Sequence, residues 1–136
     1  LLLQHMIKPD KTAVSPSATY FLSENEINTF QSAARSGSCE AANRLARYHL
    51  NITLRTDQAI YWYRLGRHCL DVNAKMELIG LLMDSKDRDV INEVDDILLE
   101  IDKIDPQESR RAKDAIGEAR KRGLNQRENL PPSSIQ

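Results

Sequence analysis

The clearest hydrophobic pattern in the chain lies in its second half, where apolar residues recur at steps of three and four positions. That spacing places the apolar side chains on one face of an α-helix and the polar side chains on the other. The stripe consists of Val90, Ile91, Val94, Ile97, Leu98, Ile101 and Ile104. The pattern therefore predicts a long amphipathic helix that ends near 104.

Two shorter helices are predicted in the first half of the chain. Ser23 and Glu26 have the spacing of a capping box, so the first helix begins there, and Gly37 suits its left-handed C-terminal position. A second helix over about 39–49 carries small and apolar residues at helical spacing, which favours close approach of a neighbouring helix.

The third and fourth helices are predicted from their first residues. Thr56 or Asp57 caps the third helix, which reaches about Arg67, and Asp71 caps the fourth, which continues to Leu82. The buried side of the third helix is predicted to hold Ala59, Trp62 or Tyr63, and Gly66.

A sixth helix begins at Asp105 with a proline in its first turn, and Gly123 suits its end. About six helices and no strands make the predicted fold class all-α. The sequence divides into an extended lead-in over 1–22, a helical repeat domain over 23–123 and a flexible tail over 124–136.

A small-residue pattern occurs twice between 33 and 82, the second time in a weaker form. The two copies are offset by about 33 residues, which is the length of a helix-turn-helix repeat. The superposed positions are Ala41 on Ala74, Leu45 on Leu78, and Gly37 on Leu70.

This pattern resembles the Sel-one-like repeat, a relative of the tetratricopeptide repeat, over about 29–83. The matching residues are Ala33, Ala34, Gly37, Ala41, Leu45, Tyr48, Asp57, Ala59, Trp62, Tyr63, Ala74 and Leu78. The second copy departs from the family, with Gly66 and Arg67 in place of two alanines and Leu70 in place of glycine. The resemblance implies antiparallel helical hairpins stacked as a short right-handed solenoid that binds proteins. It carries over no catalytic residue.

Charge changes the picture only locally. The net charge of −1 gives no indication of a nucleic-acid partner, and no apolar stretch approaches the ~20 residues that span a bilayer. Between 35 and 67, however, six arginines face only two acids, Glu40 and Asp57. Arginine and tyrosine are enriched at binding hot spots, so the candidate binding residues are Arg44, Arg47, Tyr61 and Arg64, with an acidic protein surface as the expected partner.

The two cysteines stand at the start of one predicted helix and after the end of the next. In an antiparallel hairpin these ends meet, which permits a disulfide between Cys39 and Cys69; two buried free thiols are the alternative. A disulfide predicts a periplasmic or secreted protein, and free thiols predict a cytoplasmic one.

Catalytic and metal-binding patterns are weak. His5, His49 and His68 show no paired ligand spacing, and Cys69 beside His68 lacks two further ligands, so no metal and no cofactor are predicted. The segment from Arg44 to His49 resembles the short motif of HEPN ribonucleases, in which the histidine acts as general base and the arginine stabilises phosphate charge.

The predicted function is accordingly that of a non-enzymatic protein that binds one dedicated protein partner. A short chain with two repeats favours an immunity protein that neutralises a secreted bacterial toxin, or a small envelope adaptor. A HEPN-like ribonuclease that uses Arg44 and His49 is the alternative.

Overall fold

The computed structural model describes residues 19–128, and every regular element in that range is helical. The predicted all-α class with six helices is therefore confirmed for this part of the chain. A π-helical segment, His49–Thr53, follows the second helix. The α-helices are α1 (Glu24–Arg35), α2 (Cys39–Tyr48), α3 (Thr56–Leu65), α4 (Val72–Leu82), α5 (Arg88–Ile104) and α6 (Pro106–Glu128).

The two ends of the chain are described only in part. Of the predicted lead-in, 1–18 lie outside the described residues, and of the predicted tail, 129–136 do. The last helix does not stop at Gly123 but continues to Glu128. A glycine inside a helix costs only about 1 kcal/mol relative to alanine, which a favourable local sequence can offset.

Both predicted signals that bound the first helix are confirmed. Ser23 Oγ accepts a hydrogen bond from the Glu26 amide at 3.2 Å, and the Glu26 carboxylate accepts one from the Ser23 amide at 2.8 Å. Hydrogen bonds from the Ser23 amide and the Ser23 side chain to the carboxylate stabilise its charged form and lower the pKa of Glu26. At the other end Gly37 has φ +111°, and the Ser38 amide donates to the carbonyl of Ala33. Local chemistry therefore sets both ends of α1.

The predicted caps of the fourth and sixth helices are also present, but that of the third is not. The Asp71 carboxylate accepts from the Ala74 amide at 3.0 Å, and Asp105 caps α6 in the same way. The residue before α3 is Arg55, which makes no capping bond. Asp57 instead accepts two hydrogen bonds from the Arg55 guanidinium, because a charge-assisted bidentate pair competes with the cap.

The described residues fall into two compact units, unit 1 up to Cys69 and unit 2 from Leu70 onward, and one repeat domain over 23–123 stays a prediction. Unit 1 contains α1, α2 and α3, and unit 2 contains α4, α5 and α6. In unit 1, α2 packs against both other helices. The buried apolar residues of unit 1 are Leu22, Ala34, Cys39, Ala41, Ala42, Leu45, Ala46, Ala59, Trp62 and Tyr63.

Gly66, at the end of α3, lies against the first turns of α2. A Cβ atom at this position would stand 2.8 Å from Asn43 Oδ1, 3.1 Å from the Ala42 methyl and 3.2 Å from the Cys39 carbonyl oxygen. Only a residue without a side chain lets the two helices come this close. The glycine at position 66 thus has a packing reason.

Unit 2 is built around the apolar stripe of α5, which packs against α4 and α6. The stripe residues Val94, Ile97, Leu98 and Ile101 are buried, as predicted. Lys75 of α4 is also buried, and its ammonium donates to the Glu100 carboxylate of α5 at 2.9 Å. Because a buried charge needs a partner, this pair helps to fix α4 against α5.

Two glycine-to-alanine substitutions test the close approach at Gly66. We expect Gly66→Ala to lower the free energy of unfolding by about 1–3 kcal/mol, because the added methyl overpacks the α2–α3 contact. Gly80→Ala is the matched control: nothing lies within 4 Å of its added Cβ, and α4 gains helix propensity. It should raise stability by about 0.4–1 kcal/mol. Urea denaturation of both variants measures the difference, and an unchanged Gly66→Ala midpoint would contradict the packing argument.

Candidate functional site

Arg44 and Arg47 lie three positions apart on α2, and both are half-buried. They occupy the side of the helix away from its buried residues, as the sequence predicts, and Glu40 shares this side. Arg44 is close enough to α1 for its charge to help lower the pKa of Glu26, after the larger effect of the hydrogen bonds from Ser23.

Tyr61 and Arg64 form a second pair, three positions apart on α3. The neighbouring rings of Trp62 and Tyr63 are both buried, each with 2% of its surface exposed, whereas Tyr61 is 49% exposed. The Tyr61 ring meets that of Trp62 edge-on, with centroids 4.8 Å apart. Arg64 is exposed one turn further along the same side of α3. Tyr61 is therefore held by the core at one edge and offered to solvent at the other.

The four predicted binding residues thus form two pairs on the outer sides of two adjacent helices. That all four meet one partner stays a prediction. Arg35 adds a further cation to unit 1, with its guanidinium carbon 5.3 Å from the centre of the Trp62 ring. Asp57 is one of the two acids that lie among the six arginines of 35–67. It stands in the first turn of α3 and forms an ion pair with Arg55.

The π-helical segment changes the direction of the chain between α2 and α3. Its widened turn is supported by side chains: Asn51 Nδ2 donates to the Arg47 carbonyl at 2.9 Å, and Thr53 Oγ1 donates to the His49 carbonyl at 3.3 Å. Leu54 follows with φ 57°, in the left-handed region, and is 75% exposed. A leucine there costs about 1–2 kcal/mol relative to ordinary backbone, and no sequence signal predicts it.

His49 lies at the start of this segment, and its Nδ1 is 2.9 Å from Thr53 Oγ1. Partial burial lowers the pKa of His49, and the positive charge of Arg55 lowers it further. Arg44 stands five positions earlier, and at about 100° per helical residue the two side chains leave the helix about 140° apart. The Arg44–His49 pair of the ribonuclease interpretation therefore does not share one helix face.

Cys39 and Cys69 are joined by a disulfide, as the first of the two sequence alternatives predicts. Their Cα atoms are 6.1 Å apart, within the usual range for a disulfide. Cys39 is the first residue of α2 and is buried, while Cys69 lies in the turn after α3. The position of α2 against the end of α3, at Gly66, brings the two residues together.

His68 completes a cluster that the sequence does not predict. Its Nε2 lies 3.1 Å from Cys39 Sγ, and its Nδ1 lies 3.1 Å from the carbonyl oxygen of Leu65. The ligand atoms of Cys39, His68 and Cys69 all lie within 4.8 Å of one another. The sequence places His68 beside Cys69 but leaves out Cys39, because that neighbour arrives only through helix packing.

Unit 2 contains a groove of about 380 Å³ at the turn between α4 and α5 and the later part of α6. Its lining contains charged and apolar residues but no histidine or cysteine. It is lined by Met83, Asp84, Ser85, Lys86, Ile91, Ala119, Arg120 and Gly123.

Comparison of the chain with protein-family models, with curated proteins and with solved structures finds no match. The resemblance to the Sel-one-like repeat thus rests on the residues quoted for it and stays a prediction. Within the described range, none of the helices has both the length and the apolar character needed to cross a membrane.

Breaking the disulfide should destabilise unit 1. Its ends are 30 positions apart, and a loop of that length corresponds to about 3–4 kcal/mol in the chain-entropy description. We expect Cys39→Ser with Cys69→Ser to lower the free energy of unfolding by about that amount in metal-free buffer. Urea denaturation with and without a reductant measures it. A reductant should lower the urea midpoint of the native protein and leave that of the double variant unchanged. Equal changes in the two midpoints would argue against the bond.

The lowered pKa of His49 predicts acid destabilisation. Below the ordinary histidine pKa of about 6.5 the unfolded chain binds a proton that the folded protein resists, so this contribution is present above about pH 6.5 and lost as the pH falls toward the lowered folded value. From about pH 7.5 to about pH 5.5, the urea midpoint of the native protein should fall more than that of His49→Gln. The change in urea midpoint between the two pH values reports the titration of His49, because loss of the contact with Thr53 affects the variant at both pH values. Identical falls would contradict the prediction.

Proposed function

We propose that unit 1 is a protein-binding module that holds one dedicated partner through the outer sides of α2 and α3. The contact residues in this proposal are Arg44, Arg47, Tyr61 and Arg64, and the complementary surface on the partner is acidic. The module needs no catalytic group for this function.

One observation carries most weight in this proposal, the exposure of Tyr61. A half-exposed aromatic ring that is braced by a buried tryptophan presents a rigid contact area at low entropic cost, and Arg64 adds charge one turn away. Six arginines stand against two acids between 35 and 67, and this excess of positive charge favours an acidic partner.

The proposal keeps the resemblance to the Sel-one-like repeat, a family in which helical hairpins stack as a right-handed solenoid and bind proteins. An immunity protein against a secreted bacterial toxin and a small envelope adaptor are two roles that fit a module with a single partner. The disulfide favours an oxidising compartment such as the periplasm or the exterior for either role.

The test is affinity capture from the source cell, followed by titration of the captured protein. We expect one stoichiometric partner, whose affinity for Tyr61→Ala with Arg64→Ala is lower by about 30-fold or more, the loss typical of a hot spot. Arg44→Ala with Arg47→Ala should reduce the association rate and the salt dependence of binding.

The matched control carries Leu99→Ala with Arg110→Ala, an exposed apolar residue and an exposed arginine of unit 2. It should bind as tightly as the native protein. Equal losses in both double variants, or no loss in either, would contradict the assignment of the binding face to α2 and α3.

The ribonuclease interpretation predicts a different result. Purified protein would cleave RNA, and His49→Ala would abolish the cleavage while leaving partner capture unchanged. Cleavage of this kind would overturn the proposal of a module without chemistry.

A further inference from the structure

We propose that Cys39, His68 and Cys69 form a zinc site when the disulfide is reduced. The site goes beyond the proposed binding function, because it involves a different part of unit 1 and a different ligand. Its three donors are two thiolate sulfurs and one imidazole nitrogen, a set that zinc prefers.

The hydrogen bonding of His68 supports this assignment. A carbonyl oxygen can only accept, so the contact with Leu65 requires the proton of the imidazole on Nδ1. In the neutral ring Nε2 then holds a lone pair toward Cys39 Sγ, 3.1 Å away. Metal-bound histidines commonly donate their second ring nitrogen to a backbone carbonyl in this way, which fixes the ring for ligation.

The contact between Nε2 and sulfur is itself informative. A disulfide sulfur has no hydrogen to donate, so in the neutral ring the oxidised pair offers Nε2 no hydrogen bond. Two electron-rich atoms face each other at 3.1 Å, an arrangement that a shared cation stabilises. The bonded cysteines therefore hold Nε2 beside a sulfur with which it can share a metal ion after reduction.

The distances between the three donor atoms allow the disulfide to be replaced by a zinc site. Zinc with Zn–S of about 2.3 Å and Zn–N of about 2.0–2.1 Å places tetrahedral donors about 3.6–3.8 Å apart. The three donor atoms already lie within 4.8 Å of one another. After reduction the sulfurs must separate to van der Waals range, while Nε2 moves by only about half an ångström relative to Cys39 Sγ.

Cys39 is the first residue of α2, and the amide groups and dipole at a helix N-terminus favour a negatively charged ligand there. Cys69 in the adjoining turn and the exposed ring of His68 leave one side of the cluster open to solvent. Three protein donors leave a fourth coordination position, which water or an external group fills.

A thiol reductant supplies the two electrons and two protons that reduce the disulfide. The Cys39–Cys69 bond breaks and two S–H bonds form, while two thiols of the reductant lose two electrons and two protons and join as a disulfide. Zn²⁺ then displaces the protons of both cysteines, which pass to solvent, and binds the thiolates and Nε2. A disulfide oxidant reverses the change: it accepts two electrons and is cleaved to two thiolates, while the Cys39–Cys69 bond re-forms and the ion is released.

The experiment uses the full chain, reduced with a phosphine and then titrated with Co²⁺ alone. The reduced protein should bind one equivalent, with thiolate-to-cobalt charge-transfer absorption and the strong visible bands of tetrahedral coordination, and Zn²⁺ should displace it. The oxidised protein should show neither. Thermal unfolding of the reduced protein should shift upward on addition of Zn²⁺, because the ion binds the folded state.

His68→Ala distinguishes this site from adventitious binding by two thiolates. It should weaken Zn²⁺ binding by at least about tenfold in competition with a chromogenic chelator. His49→Ala is the matched control and should bind as the native protein does. Equal affinity of His68→Ala and the native protein, one metal shared between two chains, or equal binding by oxidised protein would each overturn the proposal. Circular dichroism of reduced His68→Ala, expected to match the reduced native protein, shows that weaker binding does not reflect unfolding.

Discussion

The short distance between α2 and α3 at Gly66 is the constraint on which the rest of unit 1 depends. The missing side chain lets the end of α3 reach the Cys39 carbonyl and the Ala42 methyl, and the helices meet closely enough for the disulfide to form. The crowding has a cost, since Asn43 Oδ1 is buried and has no hydrogen-bond partner among the described residues.

Features that depend on neighbouring residues could be predicted from the sequence. The capping box at Ser23 and the stripe of α5 are patterns with spacings of three and four positions, and Gly37 is recognised by its residue type at a helix end. None of these predictions needs knowledge of the rest of the fold. The disulfide was one of two alternatives, because its geometry follows only if the second and third helices are antiparallel neighbours.

Features that depend on packing or on competition could not be predicted. Asp57 has a good capping side chain, but the Arg55 guanidinium binds it instead. Leu54 takes a left-handed conformation at the end of the π-helical segment, and nothing in the residue itself favours it. The cluster around His68 needs two residues separated by 29 positions to meet, which sequence spacing does not reveal.

The covalent link between Cys39 and Cys69 also makes α2, the π-helical segment and α3 a closed ring. The exposed turn at Leu54 and Arg55, where a protease finds backbone within reach, lies inside that ring. A single cut there opens the ring but does not divide the molecule, because the disulfide still joins the two fragments. The oxidised protein would migrate as one species after such a cut, and only reduction would separate the pieces.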